Sequence, residues 1–311
     1  MTTPAVLNSW DGVSAPITYM GASLVPPTGQ RNFSMSQTTV HIHNGRHSNF
    51  KLDTNGFELL DATTTLSTEQ FYTDHHAITS TYYKECCTLL QQKTGASKVF
   101  AFDHNVRNAG VATFAERSKA KTKTLARPDG PVRFVHNDYT NVSGPQRVRD
   151  LSIPGGSYTK QNALLSKEEA ARIVTGTSRY CFVNVWRPIN QPVNDVPLAV
   201  CDAQSMLDED FTACQLVYEN RIGETYIVQH QARHQWHWFP NMNKNEALLL
   251  KCWDSEQKGT CSAHSAFENR NASKEAPPRE SIEVRCLLVF DGSHEGNTMQ
   301  RLHVPPHRSN L

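Results

Sequence analysis

The chain lacks most of the features by which a sequence declares where it works. No C-x-x-C pair occurs among its eight cysteines, at 86, 87, 181, 201, 214, 252, 261 and 286, so the spacing of a zinc ribbon is missing and structural zinc is not expected. Their scatter suits small apolar residues in a reducing compartment. The amino terminus, MTTPAVLNSW, has neither the basic flank nor the apolar run of a secretory leader, and no stretch approaches the length of a membrane span. A cytoplasmic protein without a membrane partner is expected. Charge of one sign is lacking as well: 31 basic residues stand against 30 acidic ones in 311, which argues against a nucleic-acid partner. A small molecule is the expected partner, with a homodimer as the default assembly.

What is present is mostly strand. The first thirty residues are rich in Pro, Thr, Ser and Gly without a sustained period, which predicts an extended N-terminal arm over 1–30. TTVHIHNGR alternates as a strand does, and FKLDTNGFELL reads as two short strands joined across Asn55-Gly56, a strong hairpin cue. From about Asp74 the period changes: Ile78, Tyr82, Cys86 and Leu90 recur every fourth residue, predicting an amphipathic helix that stops near Gly95. SKVFAFDHNVR follows as a strand. The basic stretch over 115–130 reads as a mobile loop, or as a lid that orders over substrate. LLSKEEAARIVTG places Ser166 three residues before Glu169, a helix-start signature closing on Gly176, within a helical insertion over 145–178. The last third holds RYCFVNVWRPI, VPLAVCDAQS, ETYIVQHQARHQWHWFP, EALLLKCWDS and RESIEVRCLLVF. Many short strands with few helices predict a mostly β fold with flanking helices, an antiparallel sandwich or barrel. No linker divides the chain, so a single domain over 1–311 is expected.

One strand poses a chemical question. In RFVHNDYT, His136 and Asp138 stand two apart and must share a face. A surface strand running into a turn would explain them, and so would half of a metal site. An imidazole and a carboxylate side by side become a facial triad when a distant histidine joins them, leaving three positions open on non-haem Fe(II). Of the fourteen histidines, His264 is the most informative, because RES follows at Arg279 to Ser281. Arg279 and Ser281 share a strand face, and a planar guanidinium with a hydroxyl beside it suits a small dicarboxylate. His136, Asp138 and His264 are therefore the candidate metal ligands. Arg279 and Ser281 are the candidate anchor.

Other residues compete for roles. His230, His234 and His237 form a rival cluster, but 234 and 237 fall on opposite faces of a strand and no carboxylate follows at i+2. His41 and His43 share a face without a carboxylate or an anchor pair downstream. Asn184 faces inward with Trp186 and could donate to a bound cosubstrate or serve as a structural strand amide. Arg187, on the other face, is expected to be a structural ion-pair partner of Asp202 or Asp195. Tyr139, Trp186, Trp236, Trp238 and Phe267 are candidates to wall an apolar substrate pocket, although aromatic residues in strands more often pack in the core. Lys251 and Asp254 are expected to make structural contacts. Cys86 and Cys87 have no base nearby and are not expected to be nucleophiles.

The order H-x-D, distant His, R-x-S resembles that of Fe(II)/2-oxoglutarate-dependent oxygenases on a double-stranded β-helix, a jelly-roll, cupin-like core. NVWRPINQPVNDVPLAVCDAQSM, HQWHWFPNMNKNEALLLKCWDS, HSAF, PRESIEVR, FDHNVR and VHNDYT are similar to the AsaB-like hydroxylase/desaturase family. That family includes gibberellin desaturase-like proteins and is related to the cephalosporin hydroxylase component of cephamycin biosynthesis. The resemblance spans roughly residues 38 to 292. It implies oxidation of a small natural product in secondary metabolism, with Fe(II), 2-oxoglutarate and O2, in which Arg279 and Ser281 anchor the far carboxylate of the keto acid. The 126 positions between Asp138 and His264 exceed the commonest oxygenase spacing, and an insertion accounts for the difference. Two alternatives stay open: an iron oxidase on the same fold without 2-oxoglutarate, and a non-catalytic jelly-roll binding protein.

Overall fold

The structure is a computed structural model that describes residues 11–20, 35–110, 130–156, 162–218, 221–256 and 260–291. The expected loop or lid over 115–130 lies, apart from Gly130, outside them. Among the described residues the fold is mostly β, with few helices, and its strands form two sheets.

The first sheet begins at an unexpected element. Within the expected arm, Gly12–Met20 is a strand, β1, antiparallel to β2 (Met35–Asn44). Val13, Ala15, Ile17 and Tyr19 are buried at alternate positions. The period of two was present, but Pro16 masks it; a proline that cannot donate to a ladder is tolerated because β1 is the edge strand. The FKLDTNGFELL hairpin is also corrected. Leu52–Asn55 is a single helical turn capped by Gly56 in the left-handed region at φ +79°, and only Phe57–Asp61, β3, is a strand. The glycine answers the turn chemistry that the sequence advertises, but at a helix end. A Cβ at Gly56 would stand 2.8 Å from the backbone N of Ser262 and 2.8 Å from the backbone O of Thr260. Gly56→Ala is therefore expected to cost on the order of 2 kcal/mol or more through strain and backbone clash, read as a lower thermal midpoint.

Strand β4 (Lys98–Asn108) edges the second sheet, whose order is β3-β11-β6-β13-β4. Its centre is β6 (Tyr180–Pro188), buried along its whole length, flanked by β11 (Glu246–Asp254) and β13 (Glu280–Val289). The first sheet runs β1-β2-β10-β7-β12-β5-β9-β8. In it β5 is His136–Asn137, β7 Leu198–Cys201, β8 Phe211–Tyr218, β9 Arg221–Val228, β10 Trp236–Trp238 and β12 His264–Ala266.

Alternation divides the apolar residues among three cores. Phe182, Trp186, Leu248 and Leu250 of one sheet meet Leu198 and Val200 of the other. On the opposite face of β6, Val183 and Val185 pack with Ile78, Tyr82, Cys86 and Leu90, the four residues whose spacing predicts the helix. That helical run is interrupted by a π-turn at Ile78–Tyr82, continues as Tyr83–Thr94 and ends at Gly95, φ +72°. Ala199 and Cys201 face a third core with the β1 residues, Trp236 and Trp238. Helices Ser143–Asp150 and Lys167–Thr175 lie where a helical insertion is expected, and Val148, Leu151, Ala170 and Ile173 join the inter-sheet core. The Ser166 hydroxyl accepts from Glu169 N–H at 3.0 Å, as the cap predicts.

Lys251 and Asp254 make the structural contacts expected of them. Both are buried in a cluster with Arg179 and Asp53; Asp254 accepts from Arg179 at 2.6 Å and lies 3.4 Å from Lys251. Arg187 is structural too, but with different partners: its Nη1 donates to the carbonyls of Ala62 and Lys244, and its guanidinium lies over Tyr82. Asp202 instead accepts from Asn55, and Asp195 from the Arg279 backbone. Cys86, Cys181, Cys201, Cys252 and Cys286 are buried, and burial pushes the Cys86 thiol up to about 12, the opposite of a nucleophile's direction.

Candidate metal centre

The site lies between the sheets and is assembled by strand pairing. His264 on β12 stands directly opposite His136 on β5, so a separation of 128 positions collapses to a ring-centroid distance of 4.4 Å. Asp138 follows His136 on the same face, with Oδ1 3.8 Å from His136 Nε2. One ligand atom from each of the three lies within 4.8 Å of the others, and among the described residues no other group of three His, Cys, Asp or Glu meets that condition. The rival cluster is divided: His230 and His234 stay together against Tyr19, and His237 lies apart. His234 Nε2 contacts Asp210 at 3.1 Å, whereas His237 packs against Phe50 and Phe57.

The two imidazoles are oriented in the same way. His136 Nδ1 lies 2.8 Å from the Phe134 carbonyl and His264 Nδ1 3.2 Å from that of Ser262, each two residues back. A carbonyl can only accept, so each Nδ1 donates, and Nε2 is the nitrogen each ring turns toward a ligand. Burial, and then the neighbouring His264, push His136 down to about 3. It is therefore neutral at physiological pH, as a metal ligand must be. Burial alone would raise Asp138, but the Arg285 guanidinium beside it, with the Asn184 amide, holds it well below the usual carboxylate range. Two imidazole nitrogens and one carboxylate oxygen on one side of a cleft form a set that fits a divalent transition metal with open positions.

The walls of the cleft come from both sheets. Arg107, Val132, Trp186, Leu198, Arg279, Ser281, Glu283 and Arg285 surround the three ligands. Arg279 is 4% exposed, its Nε donates to Ser281 Oγ at 3.1 Å, its Nη1 donates to the Val196 carbonyl, and it lies over the Trp186 ring. Among the described residues no carboxylate forms an ion pair with its side chain. Burial, and then Arg107, lower it to about 9. A buried cation bonded only to neutral groups is what a site for an absent anion requires.

The remaining candidates separate. Asn184 faces inward, but its amide donates to Asp138 Oδ2 at 2.8 Å, so it serves the carboxylate and is not shown at a keto-acid position. Trp186 lines the cleft. Tyr139 does not: it stacks on Phe182 at 4.4 Å and its hydroxyl accepts from Arg147. Trp236, Trp238 and Phe267 pack in the third core, with Trp236 Nε1 donating to Tyr19 Oη at 2.7 Å and Trp238 edge-on to Phe267. Packing, the default for strand aromatics, wins there. Glu283 and Arg285 are absent from the sequence-based candidates although a signal existed, because R-x-S continued with period two along β13 gives 279, 281, 283 and 285.

A mostly β fold in which two histidines and one carboxylate able to hold a metal share a cleft with a buried arginine lacking a carboxylate partner sets the class: a scaffold with a candidate non-haem metal site. The chain belongs to the family described as Oxidoreductase/YMDC permease-like domain, whose model matches residues 7–290. It is 33% identical over 269 residues to the hydroxylase/desaturase CTB9 of Cercospora beticola, covering 81% of this chain and 76% of that protein. It is 30% identical over 283 residues to the Fe(II)/2-oxoglutarate-dependent dioxygenase nvfI of Aspergillus novofumigatus, covering 88% and 91%. A solved structure of the iron and alpha-ketoglutarate-dependent endoperoxidase NvfI superposes with a TM-score of 0.74 at 26% identity, over 92% of this chain and all of that one. The expected kinship with hydroxylase/desaturases is borne out.

Proposed function

We propose that the protein is an Fe(II)/2-oxoglutarate-dependent dioxygenase that hydroxylates or desaturates a small-molecule natural product, with its two sheets forming a double-stranded β-helix of the jelly-roll, cupin-like kind. The observation that carries this reading is the pairing of a three-ligand group with an arginine buried in the same cleft without a carboxylate partner. Relatives named as hydroxylase/desaturase and as Fe(II)/2-oxoglutarate-dependent dioxygenase support it.

His136, Asp138 and His264 would hold the iron, and Arg279 with Ser281 would grip the distal carboxylate of 2-oxoglutarate bidentately. When bound, Fe(II) with 2-oxoglutarate and O2 supplies oxidative decarboxylation to succinate and an oxidant able to take hydrogen from an unactivated carbon. The chain contributes position and dryness. The His136 and His264 rings are held by backbone carbonyls, Arg279 is held flat by Trp186 beneath it, and Trp186 with Leu198 gives the cleft an apolar wall. Hydroxylation and desaturation share that oxidant, so the substrate carbon held nearest decides the product.

Under anaerobic conditions, adding Fe(II) and 2-oxoglutarate is expected to give a weak visible charge-transfer band, and turnover in air should release succinate. Folded, metal-replete protein without the band would count against the keto acid and favour the cosubstrate-independent oxidase. Ser281→Ala is expected to weaken 2-oxoglutarate about 5- to 10-fold, the ~1 kcal/mol of one hydrogen bond, measured as a raised KM with metal affinity unchanged.

A further inference from the structure

Asp138 is held from behind more firmly than its role as a metal ligand alone demands. Its Oδ2 accepts from Arg285 Nε at 3.0 Å and from Asn184 Nδ2 at 2.8 Å, while Oδ1 is the oxygen nearer His136. Arg285 is itself pinned: Nη1 lies 3.0 Å from Asp103 Oδ2, and Nη2 3.2 Å from Glu283 Oε1. Each nitrogen of the guanidinium thus faces a different carboxylate, and the planar fork cannot turn without breaking all three contacts. Asp103 stands directly opposite Arg285 across the β4–β13 ladder, so backbone register sets the position of the clamp.

We propose that Arg285 is a positioning residue which, with Asn184, occupies one oxygen of Asp138 so that the carboxylate offers the metal a single oxygen and three adjacent coordination positions stay open. A bidentate carboxylate would fill one of the positions that the keto acid and O2 need. The inference rests on the metal reading proposed above, and its test separates the two.

Plain electrostatics and the clamp predict opposite outcomes. Removing a cation beside a dication site should tighten metal binding if charge alone matters; removing the clamp should loosen it, by about 10- to 100-fold as for other groups that orient ligands. The experiment titrates Co(II) into the full-length protein and into Arg285→Gln, Asn184→Ala and Arg107→Gln, following the visible spectrum, whose intensity reports coordination number. Arg107 lines the same cleft, donates to the Gly130 carbonyl and does not contact Asp138. The proposal requires weaker binding and an altered spectrum in Arg285→Gln, with Arg107→Gln unchanged or tighter. Equal or tighter binding in Arg285→Gln overturns it. If Arg285→Gln does not fold, Arg285→Lys and Asn184→Ala decide, and undiminished Co(II) affinity in both overturns the clamp. Failure of the unmodified protein to bind Co(II) would overturn the metal centre itself.

Discussion

Arg279→Met is expected to weaken 2-oxoglutarate binding by about 10²- to 10³-fold without lowering the thermal midpoint of the cosubstrate-free protein. The loss follows from truncating one partner of a buried charge pair, which costs about 3–4 kcal/mol. The absence of a stability loss follows from the environment of Arg279. Its guanidinium is buried, its side-chain bonds go to a hydroxyl and a carbonyl, and burial already pulls it down to about 9. Methionine fills the space over Trp186 with no charge to desolvate. Calorimetric titration of 2-oxoglutarate into Mn(II)-loaded protein measures the first effect, and a melt without cosubstrate the second. Affinity within about threefold of the native value would place the anchor elsewhere. A sharp fall in the midpoint would show that Arg279 is a structural group.

His264→Ala is expected to abolish both metal-dependent stabilisation and succinate formation. The unmodified protein at a metal concentration about a thousandfold above Kd gains about 4 kcal/mol by mass action, and a variant with two of three ligands should gain almost none of it. The change acts on a first ligand, so the affinity loss should exceed the ~10- to 100-fold typical of outer contacts. His264 is buried, with Nδ1 at the Ser262 carbonyl and its ring beside His136. Alanine should therefore leave a folded, metal-free protein, verifiable by its unchanged melt in chelator. Retained Mn(II) stabilisation in this variant would show that the ion is held by other residues.

What the sequence revealed of the site was whatever a period of two carries. His136 with Asp138, and Arg279 with Ser281, are i and i+2 pairs that straddle the end of β5 and the start of β13, and each pair is found sharing the cleft. Extending that alternation along β13 would have reached Glu283 and Arg285. The meeting of His264 with His136 could be proposed only from residue order, because it depends on the pairing of β12 with β5, a non-local choice that no local pattern encodes. The same limit applies to the aromatics: Trp236 and Trp238 alternate as a strand does, but which core receives that face of β10 is set by its neighbours β2 and β7, and it is the third. In the fold, the helix from Ile78 to Leu90 was legible because burial and period agree. β1 was hidden by Pro16, and Gly56 was read for the right conformation in the wrong element.

The most direct test is an anaerobic crystal structure of the protein with Mn(II) and 2-oxoglutarate. One metal ion bonded to His136 Nε2, His264 Nε2 and a single oxygen of Asp138, with the far carboxylate of the keto acid on Arg279 and Ser281, is the expected result. A cleft that stays empty at saturating metal, or an ion held by other side chains, would contradict it.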